Sequence, residues 1–226
     1  EGITLRGVSR SRIAMVPNGC DLDIFASPMM PWRPAQIEPT DLMAVFAGTH
    51  GVANGLDALL SVAAELQRRG RDDIKLLLIG KGKLKTSLQA RAEGENPTNV
   101  VFLAPVNKCQ LAGLMAAADV GLQLLANVPA FYYGTSPNKF FDYIAAGLPV
   151  LNNYPGWLAE MIEEHNCGFT VPPENSIAFA DALEQAASDR PALKAMGQRG
   201  LALAKAQFAR HALADKWVDW VTGVKA

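Results

Sequence analysis

Within residues 134–150, GTSPNKFFDYIAAGLPV, two hydroxyls, an amide, a lysine and a carboxylate fall at spacings that suit an anion and a sugar hydroxyl. Ser136 is a favourable N-cap, and Pro137 fits the first helical position, where no N–H is needed. Gly147 supplies the left-handed residue that ends a helix, and Pro149 prevents it from resuming. The hydroxyls of Thr135 and Ser136, the amine of Lys139 and the free N–H groups of the first turn would then gather at one end. Helix dipole and uncapped amides both favour negative charge there. Asn138 and Asp142, four residues apart, share a face, which sets a carboxylate one turn further in. A phosphate followed by a sugar hydroxyl matches that order of groups. The same residues also suit ordinary helix capping, with Lys139 and Asp142 as a weak surface pair, so the rest of the chain has to decide.

The elements that must hold this helix follow from periodicity. Residues 12–16 (RIAMV) read as a short strand before Pro17 and an Asn18-Gly19 turn, and residues 26–41, with four prolines, read as a linker or surface excursion. Strands are expected at 42–47, 74–79, 100–103, 120–125, 150–151 and 168–171. Helices are expected at 55–69, from about 83 to 92, at 110–117, 137–146, 156–164, 177–187, 192–206 and 211–224. Strands alternating with helices of this length imply right-handed crossovers and a parallel sheet covered on both faces. The fold class is therefore α/β, doubly wound, with a mainly parallel sheet of about six strands. Ligands in such sheets bind at the carboxyl ends of the strands, where three glycine-bearing turns fall: 48–51, 80–82 and 134–136. Their shared position favours a nucleotide or phosphorylated ligand over simple capping.

Composition narrows the classes. The chain has 226 residues, half of them apolar, with 21 basic and 22 acidic side chains and a net charge of −1, which argues against a nucleic-acid binder. No run reaches the roughly eighteen apolar residues of a membrane span, and the first residues lack the pattern of a signal peptide. Cys20, Cys109 and Cys167 are scattered and odd in number, as expected of reduced thiols in a cytoplasmic protein rather than a disulfide frame or zinc site. The opening EGITLRGVSRSR does not read as a natural start and suggests a cut inside a longer protein.

Motifs in order along the chain resemble the carboxyl-terminal, donor-binding domain of retaining glycosyltransferases of the GT-B fold, specifically family four. Residues 16–21 (VPNGCD) resemble the VPNGVD segment by which the linker enters this domain. Phe46-Ala47-Gly48 with Gly55-Leu56 is similar to the first strand and helix, and residues 78–82 (LIGKG) to the IGxG turn. Residues 100–103 are similar to the NVxFLG strand, 117–120 (AADV) to the family's AADV segment, and 142–150 (DYIAAGLPV) to its EAMAAGLPV signature. Ser136-Pro137-Asn138-Lys139 resembles the SPNK of bacterial surface-polysaccharide enzymes, of which the N-acetylfucosamine transferases of O-antigen and capsule pathways are one type.

The resemblance implies a Rossmann-like half of a GT-B fold. Residues 1–25 would be the linker and leading segment, and 26–226 the nucleotide-sugar-binding domain, without the amino-terminal acceptor domain. It implies a UDP-sugar as substrate, no cofactor and no metal. The partners would be an amino-terminal domain of the same protein and a lipid-linked acceptor, which places the protein in the cytoplasm or peripherally at the inner face of the cytoplasmic membrane. Asp142 is expected on the ribose hydroxyls and Lys139 on the diphosphate, with Lys81 as a further cation. Gly48, Thr49, Gly51, Gly134, Thr135, Ser136 and Asn138 would supply close backbone approach or hydrogen bonds, and Val106, in the loop 104–106, a main-chain contact to the base. The family's two glutamates, eight apart, correspond here to Gly134 and Asp142, and its arginine and lysine after the first strand to Thr49 and Asn54. Lys83 and Lys85 are expected on a solvated face. His50 is either a polar contact to donor or acceptor or a plain turn residue. Phe131-Tyr132-Tyr133 either flanks the sugar or anchors its loop, and Trp217 with Trp220 is expected to pack in the core, or to be partly exposed because the family's final helix crosses back to the amino-terminal domain. The rival readings are a UDP-sugar 2-epimerase and a non-catalytic nucleotide-binding module. A nicotinamide dehydrogenase is disfavoured, because no GxGxxG follows the first strand.

Overall fold

The computed structural model describes residues 2–95 and 97–223. After two short 3-10 turns, Thr4–Arg6 and Arg10–Arg12, and an extended run, the first helix is α1, Leu22–Phe25. The alternation then follows as β1 (Leu42–Ala47), α2 (Asp57–Arg68), β2 (Ile74–Ile79), α3 (Lys85–Glu95), β3 (Val100–Leu103), α4 (Lys108–Ala117) and β4 (Val120–Gln123). It continues with α5 (Pro129–Tyr132), α6 (Asn138–Ala145), β5 (Val150–Asn152), α7 (Trp157–His165), β6 (Gly168–Thr170), α8 (Ser176–Ser188), α9 (Arg190–Gln207) and α10 (Arg210–Thr222). The six strands form one all-parallel sheet in the order β3-β2-β1-β4-β5-β6, so the expected α/β class and strand count hold. Strand order reverses between β1 and β4, which opens a crevice at their carboxyl ends.

The four inner strands, β1, β2, β4 and β5, are buried on both faces, as near-continuous apolar runs such as LMAVFA and IKLLLI require, while the edge strands β3 and β6 are partly exposed. Met43 and Val45 point to a core built with α4, α6, α7 and α9, while Leu42, Ala44 and Phe46 point to a second core built with α2, α3 and α8. In α6, Phe140, Phe141, Tyr143, Ile144 and Ala145 are all buried. Tyr143 fixes this helix against the sheet: its ring fills the space beside Gly121, where an added Cβ would lie 2.5 Å from the ring. Its hydroxyl accepts from the Ala47 N–H at 2.9 Å, at the end of β1. Gly147 ends the helix in the left-handed conformation, at φ 71°, as expected.

Four expectations are corrected. Residues 12–16 form no strand: Arg12 ends a 3-10 turn, no neighbouring strand lies beside the residues that follow, and Met15 and Val16 are exposed. Only Cys20 pairs, in an isolated bridge to Ala209. The strand expected over 120–125 stops at Gln123, and the Asn153 side chain takes over the ladder by bonding both the N–H and the carbonyl of Leu125. The helix expected to start at Pro137 behind a Ser136 cap instead has Pro137 itself as N-cap, in extended geometry, with no side chain capping it. Trp217 and Trp220 are 52% and 48% exposed, because α10 buries only Leu213. The last residue of the helix expected over 211–224 lies outside the described residues. The proline-rich stretch 26–41 has no helix or strand but lies against α4, with the Trp32 indole donating to the Gln110 carbonyl at 2.7 Å.

Candidate functional site

The crevice is built by turns that interlock after β1 and β2. Gly80, at φ 148°, passes so close to the first turn that a Cβ there would lie 1.9 Å from the Gly48 carbonyl oxygen. The His50 N–H donates to the Lys81 carbonyl at 2.9 Å, and the Leu84 N–H donates to the His50 carbonyl at 3.0 Å. The Lys85 amine ties this crossing to β3 through the carbonyls of Gly80 and Leu103, at 2.8 and 2.6 Å. Lys85 is therefore a strut and not part of a solvated face; Lys83 is exposed. His50 is fully buried between Phe46 and Phe102, and both ring nitrogens lack a hydrogen-bond partner among the described residues. Burial, followed by the nearby Lys85 charge, pushes its pKa down, favouring the neutral ring. Its side chain does not line the crevice.

Over these turns and the first turn of α6 lies a cavity of about 280 Å³. Of the residues expected at the site, it brings together Gly48, Thr49, Lys81, Val106, Lys139 and Asp142. Ala47, Ile79, Leu111 and Met115 complete its apolar walls. Gly51, Gly134, Thr135, Ser136 and Asn138 lie outside this lining. Gly51 precedes the 3-10 turn Val52–Asn54, and Gly134 and Asn138 are exposed. The Thr135 hydroxyl donates to the Phe131 carbonyl at 2.9 Å, while the Ser136 hydroxyl accepts from the backbone N–H of Asn18 at 3.3 Å. The Asn18 side-chain amide also donates to the Ser136 carbonyl, so the leading segment is tied to the loop in front of α6.

Lys139 and Asp142 do not pair with one another. The Lys139 amine donates to Asn54 Oδ1 at 2.8 Å and sits 4.7 Å from the centre of the Phe46 ring. Asn54 in turn donates to the Thr49 carbonyl at 2.8 Å, which locks the amine to the first turn. Burial lowers the lysine from its ordinary 10.5 to about 8. Asp142 makes no side-chain hydrogen bond or ion pair among the described residues. Burial raises it from 3.8 to about 6; Lys108 and Arg210 oppose that shift and Asp21 adds to it. Two groups of opposite sign thus face one cavity, and each is held back from its charge for want of a counter-ion. A ligand with anionic oxygens and vicinal hydroxyls would satisfy both.

Sequence reasoning missed two residues here. Asn54, expected as the place of an absent lysine, instead holds a lysine that arrives from α6, 85 residues further on. Phe46 provides the face beneath that amine, and no local spacing marks either contact. Of the aromatic triplet, Tyr132 is buried and stacks on Tyr154 at 6.0 Å, whereas Tyr133 is 69% exposed. Among the described residues, no group of three His, Cys, Asp or Glu side chains could hold a metal ion.

The chain is 28% identical over 231 residues to a D-inositol 3-phosphate glycosyltransferase of Nocardia farcinica, covering 98% of this chain and 48% of that protein. It is 30% identical over 185 residues to the lipopolysaccharide glucosyltransferase WaaG of Escherichia coli, covering 78% and 44%. A GDP-mannose-dependent phosphatidylinositol monomannoside mannosyltransferase of Mycobacterium tuberculosis is 27% identical over 176 residues, covering 75% and 44%. The chain thus spans about half the length of the curated relatives it matches. The crystal structure of WaaG superposes with a TM-score of 0.74 at 23% identity, over 96% of this chain and 58% of that one. Anabaena HepE in complex with UDP-glucose superposes at 0.75 and 16% identity, over 97% and 60%. The family described as glycosyl transferases group 1 matches residues 41–189, from the start of β1 through α8, and takes in every turn that frames the crevice. On that match, through more than half of its length, the chain belongs to the group 1 glycosyl transferases, with the Rossmann-like architecture of the GT-B fold.

Proposed function

We propose that this domain binds a UDP-sugar and that the protein transfers the sugar to a lipid-linked saccharide in bacterial surface-polysaccharide assembly. The observation that carries the reading is Lys139 and Asp142, neither with a counter-ion among the described residues, facing one cavity at the switch point of the sheet. In this account Lys139 meets the diphosphate and Asp142 accepts from the ribose hydroxyls. The loop through Val106 meets the base by its main chain, while Gly48 and Thr49 give the phosphates close backbone approach. Lys81, exposed at the rim, is a second cation for the diphosphate. Gly51, Gly134, Thr135, Ser136 and Asn138 would join the site around the sugar, beyond the nucleotide cavity. The relatives that carry lipopolysaccharide and phosphatidylinositol in their names support a glycolipid acceptor.

The transfer is proposed to retain anomeric configuration and to need no metal, with the Lys139 charge and the backbone N–H groups stabilising the departing diphosphate. Residues 1–25 are proposed as linker and 26–226 as the donor domain, with the acceptor domain contributed by an amino-terminal half of the same protein. Gly134, where a glutamate would grip a simple hexose, supports a deoxygenated or N-acetylated donor sugar of the N-acetylfucosamine type. Among the described residues, no helix is long and apolar enough to cross a membrane, so a peripheral association is proposed. Calorimetric titration of UDP, GDP and TDP tests the donor class. UDP is expected to bind tightest, and a preference for GDP, the nucleotide in the mycobacterial relative's name, would overturn the uridine assignment.

A further inference from the structure

At the carboxyl ends of β5 and β6, away from the nucleotide cavity, lies a second cavity of about 460 Å³. Its walls include Tyr133, Tyr154, Pro155, Glu160, Glu163 and Thr170. Tyr133 belongs to the loop that continues into Ser136 and α6, and the Trp157 indole, at the start of α7, donates to the Thr135 carbonyl at 2.9 Å. The loop that carries Tyr133 therefore leads directly into the helix that carries Lys139 and Asp142.

Two features distinguish this cavity from an ordinary surface hollow. The Tyr133 ring is 69% exposed yet held in place, because its hydroxyl donates to Glu160 Oε1 at 2.8 Å. Behind it, Tyr132 and Tyr154 stack, and the Tyr154 hydroxyl accepts from Gln123 at 3.1 Å, which makes the support rigid. Glu160 and Glu163 lie three apart on α7, and neither meets a cation among the described residues. The Thr170 hydroxyl donates to Glu163 Oε1, so each carboxylate keeps its second oxygen free to accept. Like charges at this spacing repel unless they gain hydrogen-bond donors. A fixed aromatic face beside free carboxylate oxygens and a threonine hydroxyl suits a neutral pyranose: its apolar C–H face lies on the ring and its hydroxyls donate to the carboxylates.

We infer that this cavity is a saccharide subsite, separate from the nucleotide site, that takes a sugar unit of the acceptor. The inference rests on the sugar-transfer reading, but the two can fail independently. The test is an amide-resolved NMR titration of the 226-residue chain with methyl β-N-acetylglucosaminide and methyl α-galactoside at millimolar concentrations, with UDP titrated separately. At least one glycoside is expected to shift the Tyr133, Gly156 and Thr170 amides saturably and to leave Gly48 and Lys139 unmoved. UDP is expected to do the reverse, so failure of the nucleotide reading shows only in the UDP arm. Tyr133→Ala and Glu160→Gln should each weaken the glycoside by about fivefold or more, the scale of one lost hydrogen bond or face contact. Tyr133→Phe, which keeps the ring, should weaken it less than Tyr133→Ala and guards against a folding effect. The inference is overturned if neither glycoside shifts these amides, if the shifts survive both Tyr133→Ala and Glu160→Gln, or if spermidine moves the same amides at lower concentration than either sugar.

Discussion

Two groups of charges sit on opposite sides of β1. On the outer side, where α2 meets α8, Glu65, Arg69, Asp181, Glu184, Arg71 and Asp73 form a chain of contacts 2.6 to 3.0 Å long. Every member has a partner, and Glu65, Arg69, Arg71, Asp73 and Glu184 all shift toward the charged form: Glu65 is held down to about 2 by Arg68 and Arg69, and Arg69 is raised by Asp181, Glu65 and Glu184. In the crevice, Lys139 and Asp142 shift toward their neutral forms because burial removes water and no counter-ion replaces it. The outer network is complete within the chain and serves to join two helices. The inner pair is incomplete without a ligand, and such shifted groups in a cleft are a physical signature of a site.

The sharpest way to break this contrast is to remove the inner cation. Lys139→Ala should weaken UDP by roughly 1.5–3 kcal/mol, about ten- to over a hundredfold, while uridine binding stays nearly constant. Calorimetric titration of both ligands checks it, and equal weakening would make Lys139 a structural residue.

Asp142→Asn should cost about 1–3 kcal/mol in UDP binding, and most of the discrimination against the 2′,3′-dideoxyribose analogue should disappear. Its stability effect runs the other way. The folded carboxyl titrates near 6 and the unfolded one near 3.8, so the folded state binds more protons between these values and loses stability as pH rises through them. The asparagine variant should therefore be the more stable protein above about pH 6, by on the order of 2 kcal/mol, with the gain gone below about pH 4. Denaturant unfolding at pH 4 and pH 7 measures it. Glu65 has the opposite sign. Its folded pKa of about 2 lies below its ordinary 4.5, so its contribution is present above 4.5 and is lost as pH falls toward 2.

How far the contrast is legible without a structure depends on distance along the chain. Strands at 42–47, 74–79 and 100–103 are read residue for residue, because unbroken apolar runs bounded by turn residues need no partner to be recognised. Residues 12–16 carry the same residue types and form no strand, since strand formation needs a neighbour and none is there. Lys139 and Asp142 can be placed on one helix by spacing alone, but the Asn54 that holds the lysine and the ring beneath it are brought in by the crossing turns. Ser136 is a favourable cap by type, yet its hydroxyl is taken by Asn18, a contact spanning 118 residues. Trp217 and Trp220 have the spacing of a core pair, but the described residues leave about half of each exposed.

Smaller changes sharpen the comparison. Asn18→Ala removes the side-chain bond to the Ser136 carbonyl, leaving the backbone one, and should weaken UDP by about 0.5–1.5 kcal/mol, through the loop that leads into α6 and without any contact to the ligand. Arg69→Met should leave UDP affinity unchanged. Its loss of thermal stability should be clear at low ionic strength and smaller at high salt, because the outer network is a surface one. If Arg69→Met altered UDP binding as much as Asn18→Ala, the two charge groups would not be independent.

The central claim, that Lys139 awaits an anionic partner, is tested most directly by counting protons. With an amine pKa of about 8, the free protein at pH 8 holds about half a proton on Lys139, and a bound diphosphate would raise the pKa and fill the rest. Calorimetric titration of UDP at pH 8 in buffers of different ionisation heat should therefore report an uptake approaching half a proton, and Lys139→Ala should abolish it. Binding of UDP with no proton uptake at pH 8, or with the same uptake in the alanine variant, would contradict the account.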